Sequence, residues 1–180
     1  MRTPILASAA AVSGAAGEDI AALARQYGPV VFRAAWRVLG GRAAAEDVQQ
    51  QVFLRLIESP PGKVESWPAY LTTVATRLSI DHLRRQRRWK LLAPLWKSDE
   101  PEPDDSPAED AERAEASRFM RAALARLNPR DASCFVMRHL HGLAPAAIGA
   151  ALGLSENHVS VSVHRARKAL EAIAAKELSR

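Results

Sequence analysis

Residues 80 to 90 read IDHLRRQRRWK, and five cations (Arg84, Arg85, Arg87, Arg88 and Lys90) fall within seven positions. Guanidinium groups at that density suit phosphate: each is a planar fork that stays charged and matches an oxyanion's geometry. Cations also sit favourably at a helix C-terminus, facing the negative end of its dipole, and both roles are open to the cluster. Cys134 with His139 and His141 suggests a metal site. No fourth ligand stands at a convincing spacing, so no metal is expected. Asp81 beside His82 lacks an accompanying nucleophile and reads as a polar pair on a helix. There is no Gly-rich phosphate cradle or nucleotide motif. Neither a cofactor nor an enzymatic activity of the chain's own is expected.

Composition bounds what can position these groups. The chain has 180 residues, 48% of them hydrophobic and 25% charged, enough for one domain or two small ones with a core. Ala is abundant while β-branched and aromatic residues are sparse, which favours helices over sheets. No apolar run approaches the ~18 residues of a membrane span, so no membrane insertion is expected. The opening MRTPILASAAAVSGAAG is a weak, Ser-interrupted apolar stretch, read as a disordered tail over 1–16 and not as a signal peptide. A lone Cys134 rules out an internal disulfide and fits the cytoplasm.

Net charge is +5, unevenly spread. Residues 99–115 carry nine acids and one base; residues 17–98 carry 13 bases and seven acids; residues 116–180 carry ten bases and four acids. Two basic blocks flank an acidic bridge, which suggests a polyanionic partner. The bridge also holds Pro94, Pro101, Pro103 and Pro107, so residues 94–113 read as a flexible linker. The expected architecture is all-α: an N-terminal helical domain over 17–93, the linker, and a C-terminal domain over 114–180.

Local signals divide both domains further. Gly28-Pro29 predicts a break between a helix ending at Tyr27 and a second one over PVVFRAAWRVL, which Gly40-Gly41 stops. A helix follows over 43–58, then a loop set by Pro60, Pro61 and Gly62, then a helix from about 68 to 88 that runs into the cationic cluster. In the second half, Asn128-Pro129 opens one helix, Pro145 another, and Ser155 caps the last, from Glu156 to about Ala175. Residues 146–159, AAIGAALGLSENHV, have helix-turn-helix spacing. Small Gly149 lets two helices cross closely, Gly153 makes the turn, and Ile148, Leu152, Leu154 and Val159 wedge between them. On the last helix Val159, Val163, Ala166, Leu170 and Ile173 share a stripe. The other arc offers Asn157, His158, Ser160, Val161, His164, Arg165 and Lys168 to a major groove, with side chains able to hydrogen-bond base edges, touch a thymine methyl or hold phosphate.

On the helix AAAEDVQQQVFLRLIE, Val48, Val52, Phe53, Leu56 and Ile57 make the apolar arc. Asp47, Gln50, Gln51, Arg55 and Glu58 make the polar one, with Leu54 among them. A Leu in a polar arc is usually just exposed; it is also the form of an anchor for a helix-on-helix contact.

Three stretches carry a resemblance: AEDVQQQVFLRL, WPAYLTTVATRLSIDHLRRQRR, and LARLNPRDASCFVMRHLHGLAPAAIGAALGLSENHVSVSVHRARKAL. Their order and spacing resemble the extracytoplasmic-function sigma factors of bacterial RNA polymerase over about residues 18–92 and 115–172. The resemblance implies partners: core polymerase (β′ clamp helices and β subunit), promoter DNA, and an anti-sigma factor for many relatives. It implies that Asp47, Gln50, Gln51, Leu54 and Arg55 dock on polymerase. It implies that the 58–67 loop and the following helix capture the −10 strand, with Trp67, Thr73, Thr76, Arg77, Ile80, Arg84, Arg87 and Arg88 as candidate contacts. Trp67 is a candidate stacking surface, whereas Tyr70 falls on an apolar stripe and reads as core. The last helix would read −35 duplex.

The chain departs from the family's pattern in places. Thr76-Arg77 stands where Arg-Asn is usual, Gln49 where an apolar residue is usual, and Ser160-Val161-Ser162 where two cations are usual. An altered phosphate grip or −35 preference is expected. Two other functions fit part of the sequence: a helix-turn-helix regulator that binds duplex DNA without polymerase, and a sequestering protein that has lost DNA reading.

Overall fold

The computed structural model describes residues 7–62, 64–92 and 111–179, with side chains from residue 20 onward apart from those of 111 and 178. Among the described residues there are seven helices and no strand: α1 Ala7–Leu39, α2 Arg42–Glu58, α3 Trp67–Leu92, α4 Ala111–Leu124, α5 Pro129–His139, α6 Pro145–Leu152 and α7 Glu156–Leu178. None of them is long and apolar enough to cross a membrane.

Helices α1, α2 and α3 pack on one another through Val31, Ala35, Val38, Val48, Val52, Leu56, Leu71, Ala75 and Leu78, all almost fully buried. α1 begins at Ala7, within the 1–16 segment, where the Ala-rich run favours helix. One expectation is corrected: the helix runs unbroken through Gly28 and Pro29. The ring of Pro29 is exposed, so the turn it disrupts borders water. Gly28 is buried because α2 crosses there: a Cβ at that position would lie 2.9 Å from Gln49 Nε2. The atom met is the flexible end of the Gln49 side chain, which lies over the glycine from α2.

The expected linker, 94–113, lies outside the described residues up to 110; residues 111–113 form the start of α4, with Glu112 favourably placed in its first turn. Asn128 caps α5, accepting from the Arg130 backbone N–H at 3.0 Å, with Pro129 in the first turn. Ser155 caps α7, accepting from the His158 N–H at 3.3 Å.

The two halves meet along α3, which contacts α5, α6 and α4 as well as α1 and α2. A single buried cluster runs from Val31 and Leu78 through Leu124 and Val136 to Leu170. Thr73 Oγ1 lies 3.9 Å from Met137 Sδ across this boundary, and Arg37 Nη1 donates to the Leu140 carbonyl at 3.1 Å. Beside that last contact His141 is largely buried, and its Nε2 has no hydrogen-bond partner among the described residues. Burial first, then the Arg37 guanidinium, pushes its pKa down to about 4.

Candidate functional site

Three surfaces carry the residues that the sequence singles out. The first is the outer face of α2. Asp47, Gln50, Leu54 and Arg55 are exposed there and Gln51 is half-buried. Leu54 is 54% exposed, and Ile57, expected in the apolar arc, is 58% exposed. The core of α2 is the narrower stripe of Ala45, Val48, Val52 and Leu56. Ile57 lies one turn beyond Leu54, on the same side as Gln50, and it widens the exposed apolar patch. Sequence reasoning missed it because an apolar arc read by hydrophobicity alone comes out too wide. The surplus of one apolar residue over what a three-helix contact can cover was the available signal.

The second surface is α3, and its two ends differ. Arg77, Arg87 and Arg88 are exposed and Arg84 is half-buried. Thr73, Thr76 and Ile80, expected to reach a DNA strand, are 2%, 0% and 0% exposed. The hydroxyls of Thr73 and Thr76 donate to the carbonyls of Ala69 and Thr72, one turn back. The physical reason is the packing of α5 and α6 against this stretch: the C-terminal helices cover the face that the N-terminal helices leave open. Trp67 is half-buried, its ring edge-on to Tyr70 at 6.0 Å between centroids, and both pack against the core.

The third surface is α7. Gly149 brings α6 against it: a Cβ there would sit 2.5 Å from the Leu154 carbonyl oxygen. Gly153 supplies the left-handed turn at φ 66°, so the helix-turn-helix is present as its spacing predicts. Asn157, His158, Ser160, Val161, His164, Arg165 and Lys168 are all exposed. Ser160 turns its hydroxyl back to the Glu156 carbonyl at 3.0 Å. Three of the seven, His158, Val161 and Arg165, line a cleft of about 610 Å³ whose opposite wall includes Arg77 and Ile80 of α3. The faces expected to read the two DNA elements therefore look at one another. Ser162, which stands where the family pattern has a cation, is 4% exposed and also lines this cleft. Next to it is Cys134, whose pKa burial raises against the opposing pull of the Ser162 hydroxyl.

Among the described residues no three His, Cys, Asp or Glu side chains are grouped so as to hold a metal. What the arrangement offers is recognition: an exposed helix face that mixes apolar and polar side chains, a basic helix end and a helix-turn-helix.

Comparison with known proteins gives the following. Residues 23–89 match the family model Sigma-70 region 2, and residues 120–170 match Sigma-70, region 4. The chain is 32% identical over 162 residues to "ECF RNA polymerase sigma factor SigE" of Mycolicibacterium smegmatis, covering 87% of this chain and 62% of that protein. It is 31% identical over 167 residues to "ECF RNA polymerase sigma factor SigL" of Mycobacterium tuberculosis, covering 89% of this chain and 93% of that one. Against SigE, and against BldN of Streptomyces coelicolor where the figure is 56%, the chain spans less than two thirds of the relative's length. Among solved structures it resembles the sigma factor RpoE, crystallised with the anti-sigma factor NepR from Bartonella quintana, with a TM-score of 0.51 at 16% identity over 87% of this chain and 97% of that one. That likeness is one of fold.

Proposed function

We infer the role of this chain from one premise: it belongs to the extracytoplasmic-function (ECF) RNA polymerase sigma factors. It binds core polymerase through α2, holds the opened −10 strand at the exposed end of α3, reads −35 duplex with α7, and so directs initiation at particular promoters. The observation that carries this reading is the outer face of α2. Leu54 and Ile57 stand more than half exposed among Asp47 and Gln50, an apolar anchor with a polar rim and nothing covering it among the described residues. The chain works in the cytoplasm, where the polymerase is, and leaves catalysis to it. Two weak DNA-binding modules on one chain gain through effective concentration once polymerase holds both.

An anti-sigma factor is a further expected partner, in keeping with the one bound to RpoE. A duplex-binding regulator that ignores polymerase is the less favoured reading, because such a protein has no use for the α2 face.

The experiment is co-elution of the full-length chain with bacterial core polymerase, wild type against the double variant Asp47→Ala, Leu54→Ala. The expected result is sub-micromolar binding by wild type and a tenfold or greater loss in the variant, about 1.4 kcal/mol. Absence of binding by wild type, with the isolated 17–93 segment failing as well, removes the sigma reading.

A further inference from the structure

Arg55 stands apart from the other docking residues of α2. At 100° per residue it lies on the flank of the helix turned toward α3, well round from Leu54 and Ile57. With Leu78, Asp81, Arg84, Arg85 and Arg88 of α3 it lines a separate nook of about 220 Å³. Four guanidiniums against one carboxylate leave it strongly positive. Among the described residues, none of the four arginines has a side-chain hydrogen bond or an ion pair. Their field reaches His82, whose pKa is lowered by burial and then by Arg85, with Asp47 opposing. Like charges crowded at one concavity repel, and an oxyanion that accepts from several forks relieves the repulsion.

We propose that this nook is a phosphate site that holds one backbone phosphate of a single nucleic-acid strand, with Arg55 of α2 among its ligands and not among the polymerase contacts. The inference rests on the sigma-factor reading, which supplies an opened strand at this end of α3. A strand suits the site better than a free polyphosphate does. Arg55, Arg85 and Arg88 are solvent-exposed, and exposed Arg77 stands two helical turns before Arg84 on the same side of α3, so cations continue along the helix as a track. A phosphate seated here also bridges α2 to α3, tying the helix that docks to the helix that holds DNA.

The test titrates the full-length chain with a fluorescent poly-dT oligonucleotide across a salt series, beside core-polymerase co-elution of the same variants. Arg55→Gln is expected to weaken oligonucleotide binding and to lower the slope of log affinity against log salt by about 0.7, the value of one single-strand phosphate contact. Arg88→Gln is expected to do the same, Arg55→Lys to keep the slope, and all three to bind core polymerase as wild type does. An unchanged slope in Arg55→Gln overturns the proposal, and so does a variant that loses core binding while holding the oligonucleotide normally. Inorganic pyrophosphate is the second probe: if it binds wild type more tightly than poly-dT and Arg55→Gln abolishes that, the strand assignment is wrong. Failure of wild type to bind poly-dT at low salt also overturns the site. Failure of wild type to bind core polymerase instead strikes the sigma-factor reading and leaves the salt slope to judge the nook by itself.

Discussion

The outer face of α2 and the reading face of α7 are both polar helical surfaces with an exposed apolar residue, Leu54 on one and Val161 on the other. They stand in opposite situations. Leu54 and Ile57 look out to solvent, 54% and 58% exposed, with no element in front of them among the described residues. Val161, at 37%, looks with His158 and Arg165 into the cleft against α3. The surface proposed to dock on polymerase is available as the chain stands, whereas the faces expected on DNA are turned toward each other. Thr73, Thr76 and Ile80 reach solvent only if α5 and α6 move off α3. On the proposed function, docking through α2 is expected first, and separation of the halves before either DNA element is read.

The comparison breaks first, and with the largest effect, at α2. Leu54→Asp and Ile57→Asp are expected to reduce core-polymerase affinity by about 2 kcal/mol or more each, roughly thirtyfold, since a charge replaces an apolar anchor at the centre of the contact. Thermal unfolding of either variant is expected to match wild type, because neither side chain is buried in the free chain. An Ile57→Asp variant that binds normally would return Ile57 to the ordinary exposed residues.

The next test acts on the other member of the comparison. Thr73 is 2% exposed, and its hydroxyl meets Met137 at 3.9 Å across the boundary between the halves. Thr73→Arg wedges a long cation into that contact, at a cost of about 1–3 kcal/mol for overpacking alone. The expected outcome is an opened chain: a larger radius by small-angle scattering with helical circular dichroism preserved, and core binding through α2 unaffected. An unchanged radius would mean that the halves hold together by contacts other than this one.

These two regions also differ in how legible they were in the sequence. The caps at Asn128 and Ser155 and the Gly149–Gly153 turn are local: each is set by residues within one or two helical turns, and each appears where spacing puts it. The burial of Thr73, Thr76 and Ile80 is set by partners such as Met137, 64 positions away from Thr73, and no periodicity within α3 announces them. The same holds for Ser162. Read along the helix it is a missing cation; in the fold it is a small residue where α7 comes against Cys134 and the cleft wall. Gly28-Pro29 misled in the other direction, since a local stop signal yielded to a helix crossing that only α2 supplies.

Acid is expected to loosen the boundary with a smaller effect. His141 lies by the Arg37–Leu140 contact, with its pKa held down to about 4 by burial and then by Arg37. The folded chain thus prefers the neutral ring. Its contribution is complete above the unfolded value near 6.5 and is lost as pH falls from there toward 4. The loss is on the order of 2 kcal/mol once the ring's partial exposure is allowed for. Denaturant midpoints measured across that window should fall for wild type and stay flatter for His141→Leu. Equal slopes for the two would place the acid sensitivity elsewhere.

The smallest expected effect separates the α7 face from the α2 face most cleanly. The Ser155 hydroxyl accepts from the His158 N–H at 3.3 Å and lies 2.9 Å from the His158 Nδ1. Ser155→Ala removes that cap at a cost of about 1 kcal/mol and frays the turn that carries Asn157 and His158. Neither α2 nor its exposed anchor touches this turn, so core binding should be unchanged. Binding of promoter duplex by the assembled holoenzyme should fall about fivefold, because the first residues of α7 must be ordered again before they can enter a groove. If core binding fell in parallel with duplex binding, the two faces would be coupled through the closed boundary. The order of docking before opening would then have to be replaced by a single concerted step.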